Sequence, residues 1–225
     1  MYLWKCWRDT RYFFLAFAVI AAAVTPASAA LIVSTGLRDG FGRAIFIPTL
    51  GLMTVVVALG LGTLCAIQEF TDKTAHFLFT KPRTRSYFVW AGWSVGCAEY
   101  LIIVVVNVLA GWLTLSHYSK GPFISALSAS VQMQSITAVV ISALVVFSLT
   151  YCFTAVLRSG LKGLGASMAT LTILQSVVIG VRLRWNFDID QLIWKLPSAI
   201  RDIGWLLVAL LLVFTTQVFV ERAEI

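Results

Sequence analysis

Six runs of mainly apolar residues, separated by short polar segments, set the pattern of this chain: 12–33, 44–68, 87–115, 131–157, 161–181 and 203–220. A helix of about 20 residues crosses the hydrocarbon layer of a bilayer. Only a helix or a closed barrel satisfies its own backbone hydrogen bonds there. The pattern therefore predicts an all-α, polytopic integral membrane protein with six transmembrane helices. It forms a single membrane domain over residues 1–225, with no polar stretch long enough for a soluble one. Composition agrees, since 60% of residues are hydrophobic and 12% charged, with a mean hydropathy of +0.90. A soluble globular domain carries only roughly 45–50% apolar residues, so that class is excluded.

The first run imitates a secretory signal, with Lys5, Arg8 and Arg11 before a short apolar stretch and the small residues Pro26-Ala27-Ser28-Ala29 after it. Apolar character resumes at Ala30-Leu31-Ile32-Val33, which favours a span that Pro26 would kink. Ahead of it, Leu3, Trp4 and Trp7 fall at helical spacing opposite Lys5, Arg8 and Asp9. That arrangement predicts an N-terminal interfacial helix, or an aromatic anchor, lying along the membrane surface.

Net charge is +7. The basic residues lie between apolar runs, where they orient spans and meet anionic headgroups; the lipid bilayer, not nucleic acid, is the implied partner. With six spans, the N-terminus, second and fourth loops and C-terminus hold ten Lys and Arg, against seven in the other three loops. The balance places both termini in the cytoplasm of a cell (inner) membrane, although Arg182, Arg184, Lys195 and Arg201 in the fifth loop oppose it. In that loop Leu183, Trp185, Phe187 and Ile189 alternate with Arg184, Asn186, Asp188 and Asp190 before Leu192-Ile193-Trp194. This predicts a half-buried interfacial structure over 182–202.

Chemistry is sparse. Cys6, Cys65, Cys97 and Cys152 share no metal-ligand or disulfide spacing. His76 and His117 fall on opposite sides of a six-span protein and cannot share a metal. Gly160-Leu-Lys-Gly-Leu-Gly165-Ala166-Ser167 has P-loop glycine spacing but Ala166 where the lysine belongs, and it opens an apolar helix. Its glycines suit close helix packing, as do Gly92 and Gly96 in the third run. Asp188 and Asp190 sit among Arg and Trp, as solvated ion pairs do. No constellation supports catalysis, so the chain is read as a non-enzyme. Two polar residues stand deep in the third run. Glu99, near its centre, reads as a protonated carboxyl bonded to a neighbouring helix, and Asn107 as similar glue; an ion pathway through Glu99 is the competing reading.

The most informative polar segment is 68–88, QEFTDKTAHFLFTKPRTRSYF. Glu69 and Asp72 precede Lys73, Lys81, Arg83 and Arg85, a charge order that suits the dipole of a short helix from Glu69 to about Thr80, stopped by Pro82. Phe70, Thr74, Phe77 and Leu78 fall near one face, leaving Asp72, Lys73 and His76 for another.

This segment resembles the cytoplasmic coupling loop of type 2 ABC transporter permeases, the membrane subunits of ATP-binding-cassette exporters. Glu69 and Asp72 match that family's acids, Thr74 its Thr, Phe77-Leu78 its apolar pair, Pro82 its Pro and Thr84-Arg85 its basic dipeptide; Lys73 stands where the family often has Gly. Six spans, an amphipathic N-terminal helix and a long loop before the last span fit the same architecture. The resemblance implies that residues 69–80 form a short cytoplasmic coupling helix. Through Glu69, Phe70, Asp72, Lys73, Thr74, His76, Phe77 and Leu78, it would meet a separate ABC ATPase subunit. It also implies a second permease subunit, identical or not, with the substrate passing between the halves. No cofactor is expected on this chain, ATP and Mg belonging to the partner. Competing classes are an ion-coupled carrier or membrane scaffold centred on Glu99, and a small lipid-modifying enzyme, which should show convergent His, Asp or Glu on one membrane face.

Overall fold

A computed structural model describes residues 2–34, 41–70, 85–118, 129–185 and 197–222. They form six helices: α1 (Tyr2–Ser34), α2 (Phe41–Phe70), α3 (Arg85–Tyr118), α4 (Ala129–Leu157), α5 (Gly160–Trp185) and α6 (Ser198–Arg222), with no strand among the described residues. Each helix contains one of the apolar runs. Five are long and apolar enough to cross a membrane, and α2 carries a shorter apolar stretch, Gly51–Ile67.

The helices alternate in direction. The start of α1 packs Cys6 against Phe88 and Ala91 near the start of α3. Late in α4, the Tyr151 hydroxyl donates to the Val89 carbonyl of α3 (3.0 Å), and Trp90 Nε1 of α3 donates to Gln217 late in α6 (2.7 Å). Gly160, opening α5, faces Ile67 and Thr63 late in α2. One end of the bundle thus gathers the start of α1, the end of α2, the start of α3, the α4–α5 turn and the end of α6.

The core lies on α4, which packs against α2, α6, α5 and α3, while α1 lies against α3 and α2. Half of the apolar window of α4 is buried but only 6% of that of α5, so α4 is central and α5 peripheral. Val57, Ala58, Leu61, Ile103, Val104, Ala143 and Leu144 fill the centre, with the rings of Tyr100, Phe147 and Tyr151 stacked in series at 6.1 and 6.5 Å. Lipid tails are as apolar as these side chains, so close packing and polar bonds, not removal from water, hold such a bundle together.

Two expectations are corrected. The N-terminal segment is no separate interfacial helix: α1 runs unbroken through Pro26 for 33 residues, about 50 Å. Its buried stripe is Cys6, Thr10, Ala21 and Thr25 with half-buried Phe14, Phe17 and Ala18, whereas Trp7 and Arg8 are exposed. This stripe keeps one helical phase from the polar start into the span, so continuing the helix preserves packing that a bend would break. The proposed 182–202 loop is also shorter. Arg182 and Arg184 close the last turn of α5, where cations favour a helix C-terminus, and Arg201 and Asp202 belong to α6. Asp188, Asp190 and Leu192-Ile193-Trp194 lie outside the described residues.

The α4–α5 turn is tight. Arg158 has φ 50°, the left-handed conformation that helix ends usually give to Gly, and the Gly163 amide donates to the Ser159 carbonyl to start α5 (2.8 Å). Replacing Arg158 with Gly should raise stability by roughly 0.5–1 kcal/mol through relief of this conformation. Unfolding in mixed micelles measures it; a loss of stability would show that the Arg158 side chain matters more than its backbone.

Candidate functional site

Of the eight coupling residues, Glu69 and Phe70 stand in the last turn of α2, so the segment does not begin as a separate helix at Glu69. Asp72, Lys73, Thr74, His76, Phe77 and Leu78 lie outside the described residues, as does Pro82. The described residues that flank them, the end of α2 and the start of α3, lie at the end of the bundle shared with both described termini.

The intramembrane polar residues are on view. Glu99 is buried on α3, and its Oε1 accepts a hydrogen bond from the Thr10 hydroxyl of α1. Asn107, also buried, accepts through Oδ1 from the Thr25 hydroxyl of the same helix. The Thr10 hydroxyl also lies 3.0 Å from the Cys6 carbonyl, one turn back. Glu99 Oε2 is buried with no hydrogen-bond partner among the described residues. Among the described residues, no group of three or more His, Cys, Asp or Glu could hold a metal.

These bonds belong to a larger set. Trp93 Nε1 donates to Ser148 (3.1 Å) and the Tyr100 hydroxyl to the Val140 carbonyl (2.9 Å), both on α4. With the Tyr151–Val89 and Trp90–Gln217 bonds, α3 takes part in at least six side-chain hydrogen bonds to other helices among the described residues. Thr10 and Thr25 escaped sequence reasoning because threonine is unremarkable in a span and its partner is set by tertiary contact. The only signal available was their place on the stripe of α1.

Small residues let the backbones approach. Gly92 and Gly96 are buried on α3, and a Cβ on Gly96 would stand 2.6 Å from Cys65 Sγ and 2.8 Å from the Phe147 ring. Gly62 and Gly163 meet backbone instead: a Cβ would stand 2.7 Å from the Phe147 carbonyl oxygen at Gly62 and 2.5 Å from Thr154 Cα at Gly163. Gly165, in the same glycine-rich run, faces open space.

α5 shows a different surface. Gly165, Thr172 and Ser176 share one exposed face, with exposed Gln175 beside it. Thr172 and Ser176 return their hydroxyl protons to the Met168 and Thr172 carbonyls of their own helix. Gln175 makes no hydrogen bond among the described residues. Comparison with protein-family models, with curated proteins and with solved structures returns no match for this chain.

The Glu99–Thr10 bond carries a prediction. Glu99→Gln keeps a carbonyl acceptor for Thr10 and should leave stability near wild type. Glu99→Leu removes it, although Thr10 still reaches the Cys6 carbonyl, and should cost about 1 kcal/mol, the scale of an interhelical bond in lipid. Unfolding in mixed micelles distinguishes the two; equal losses would mean that the charge, not the hydrogen bond, matters.

Proposed function

We propose that this chain is a six-span permease subunit of an ABC transporter, an exporter by family likeness, which forms half of a substrate pathway driven by a separate ATPase. The observation that carries the need for a second half is the face of α5. Gln175 stands near the middle of a 25-residue apolar stretch, Gly160–Arg184, exposed and with no hydrogen bond among the described residues. A lone amide facing lipid tails costs several kcal/mol, so α5 is better matched to protein or to a water-lined passage. A second permease subunit placed against α5 supplies either.

The link to an ATPase is carried by the pattern of residues 68–88 and supported by topology. The end of α2 and the start of α3 lie at the same end of the bundle as both described termini and the α4–α5 turn, which suits a docking site on one side of the membrane. Labelling of single introduced cysteines, in a background lacking the four native thiols, tests the orientation. Position 76 should react only after the membrane is opened and position 117 in intact cells. Labelling of position 76 from outside would sink the proposal.

An ion-coupled carrier centred on Glu99 is the second reading, favoured by an Oε2 with no hydrogen-bond partner among the described residues. It requires equal loss of transport in Glu99→Gln and Glu99→Leu, whereas the permease reading expects Glu99→Gln to retain most of it.

A further inference from the structure

Helix α1 sits at the edge of the bundle, with Tyr12, Leu15 and Val19 facing outward, and is held in two different ways. Toward α2 it packs Phe14, Phe17 and Ala21 into the apolar core, with the ring of Phe17 against Gly60. Toward α3 it makes the two buried polar bonds, Thr10 to Glu99 and Thr25 to Asn107. The threonines are 15 positions apart on α1, roughly 22 Å along its axis. A single bond leaves a helix free to pivot. Two bonds at that separation fix both its rotation and its register, because turning or sliding α1 would leave at least one acceptor unpaired in lipid. These two bonds therefore tie the rotation and register of α1 to α3. The start of α3, Arg85, follows directly on segment 71–84.

We propose that the Thr10–Glu99 and Thr25–Asn107 bonds make α1 and α3 one moving unit, so that displacement of the start of α3 reaches α1. Glu99 and Asn107 are positioning residues acting through Thr10 and Thr25. The source of the displacement rests on the permease reading; the latch itself does not.

The test uses spin labels at Val19 and Ile102, both exposed, attached through a ketone-bearing amino acid so that the native cysteines remain. In the full chain alone, in nanodiscs, the wild type should give one narrow Val19–Ile102 distance. Thr10→Val with Thr25→Val should lower the latched-to-free ratio roughly five- to tenfold, as loss of two intramembrane bonds implies, and a second distance should emerge. Thr10→Ser with Thr25→Ser should restore the single distance. An unchanged distribution in the valine double variant overturns the latch, whatever drives the protein. In the complex with its ATPase, trapping with ATP and vanadate should shift both labels together relative to a third at Ser142 on α4. In the valine double variant Ile102 should still shift while Val19 lags. Val19 that follows Ile102 without the threonine hydroxyls overturns the proposal. Failure to obtain any ATPase complex counts against the permease reading, and the distance measurement in the chain alone then decides the latch.

Discussion

Gly62→Leu is expected to destroy the assembled bundle, with a loss of about 3 kcal/mol or more. A Cβ at position 62 would stand 2.7 Å from the Phe147 carbonyl oxygen and 3.3 Å from the Tyr151 amide nitrogen. Both are backbone atoms of the central helix, so no rotamer change relieves the contact. Moving α4 away from α2 would also disturb the stacked rings of Tyr100, Phe147 and Tyr151 and the bonds from Trp93 and Tyr151 that tie α4 to α3. Gly163→Leu should behave alike, because Thr154 Cα lies 2.5 Å from its would-be Cβ. Gly165→Leu is the control, since nothing lies within 4 Å there, and exchange of a helical glycine should by itself be neutral or favourable by up to about 1 kcal/mol. Folded yield and unfolding in mixed micelles give the comparison. Similar stability of the position 62 and position 165 variants would mean that α2 and α4 are not in backbone contact.

The second large effect concerns the polar segment between the second and third apolar runs. Asp72→Lys and Phe77→Ala should each leave insertion and the folded yield of the chain intact, because neither residue lies in an apolar run of the sequence. In the permease reading each removes an element of the ATPase dock. Asp72 supplies an acid toward a basic partner, and Phe77 anchors the apolar face with Phe70 and Leu78. An aromatic anchor of this kind is worth about 2 kcal/mol, or roughly a thirtyfold weaker complex. Retention of the ATPase on the purified chain, together with ATP hydrolysis by the complex, measures it. Wild-type retention in both variants would reduce segment 68–88 to a connector and remove the main support for coupling.

How much could be read in advance differs by element. The apolar runs lie within the helices because hydrocarbon leaves an apolar stretch no other conformation, and their ends differ by a few residues where polar turns extend the helix. Continuity of α1 was hidden by the pairing of Trp4 and Trp7 with Lys5, Arg8 and Asp9, which favours a surface helix locally. The stripe from Cys6 through Thr10 to Thr25 overrides that preference, but it mixes thiol, hydroxyl and aromatic groups and stands out only beside α3. Glu99 and Asn107 were conspicuous as polar residues in an apolar run. Their partners were not, since a threonine in lipid can satisfy itself on its own helix, as Thr150 does on the Val146 carbonyl. Among glycines, spacing singled out Gly92, Gly96 and the 160–165 run, yet it could not rank them. Gly62, which had no such spacing, makes a closer approach to backbone than Gly96 does.

The central claim is that a separate ATPase drives this chain through residues 69–80. Its most direct test is to purify the tagged chain from its native membrane in mild detergent, identify the proteins retained in fixed ratio and assay ATP hydrolysis. The account predicts a soluble P-loop ATPase in stoichiometric amount, hydrolysis that vanadate stops, and loss of both on Asp72→Lys or Phe77→Ala. A chain recovered folded but without any P-loop protein, or variants that retain the ATPase as the wild type does, would contradict it.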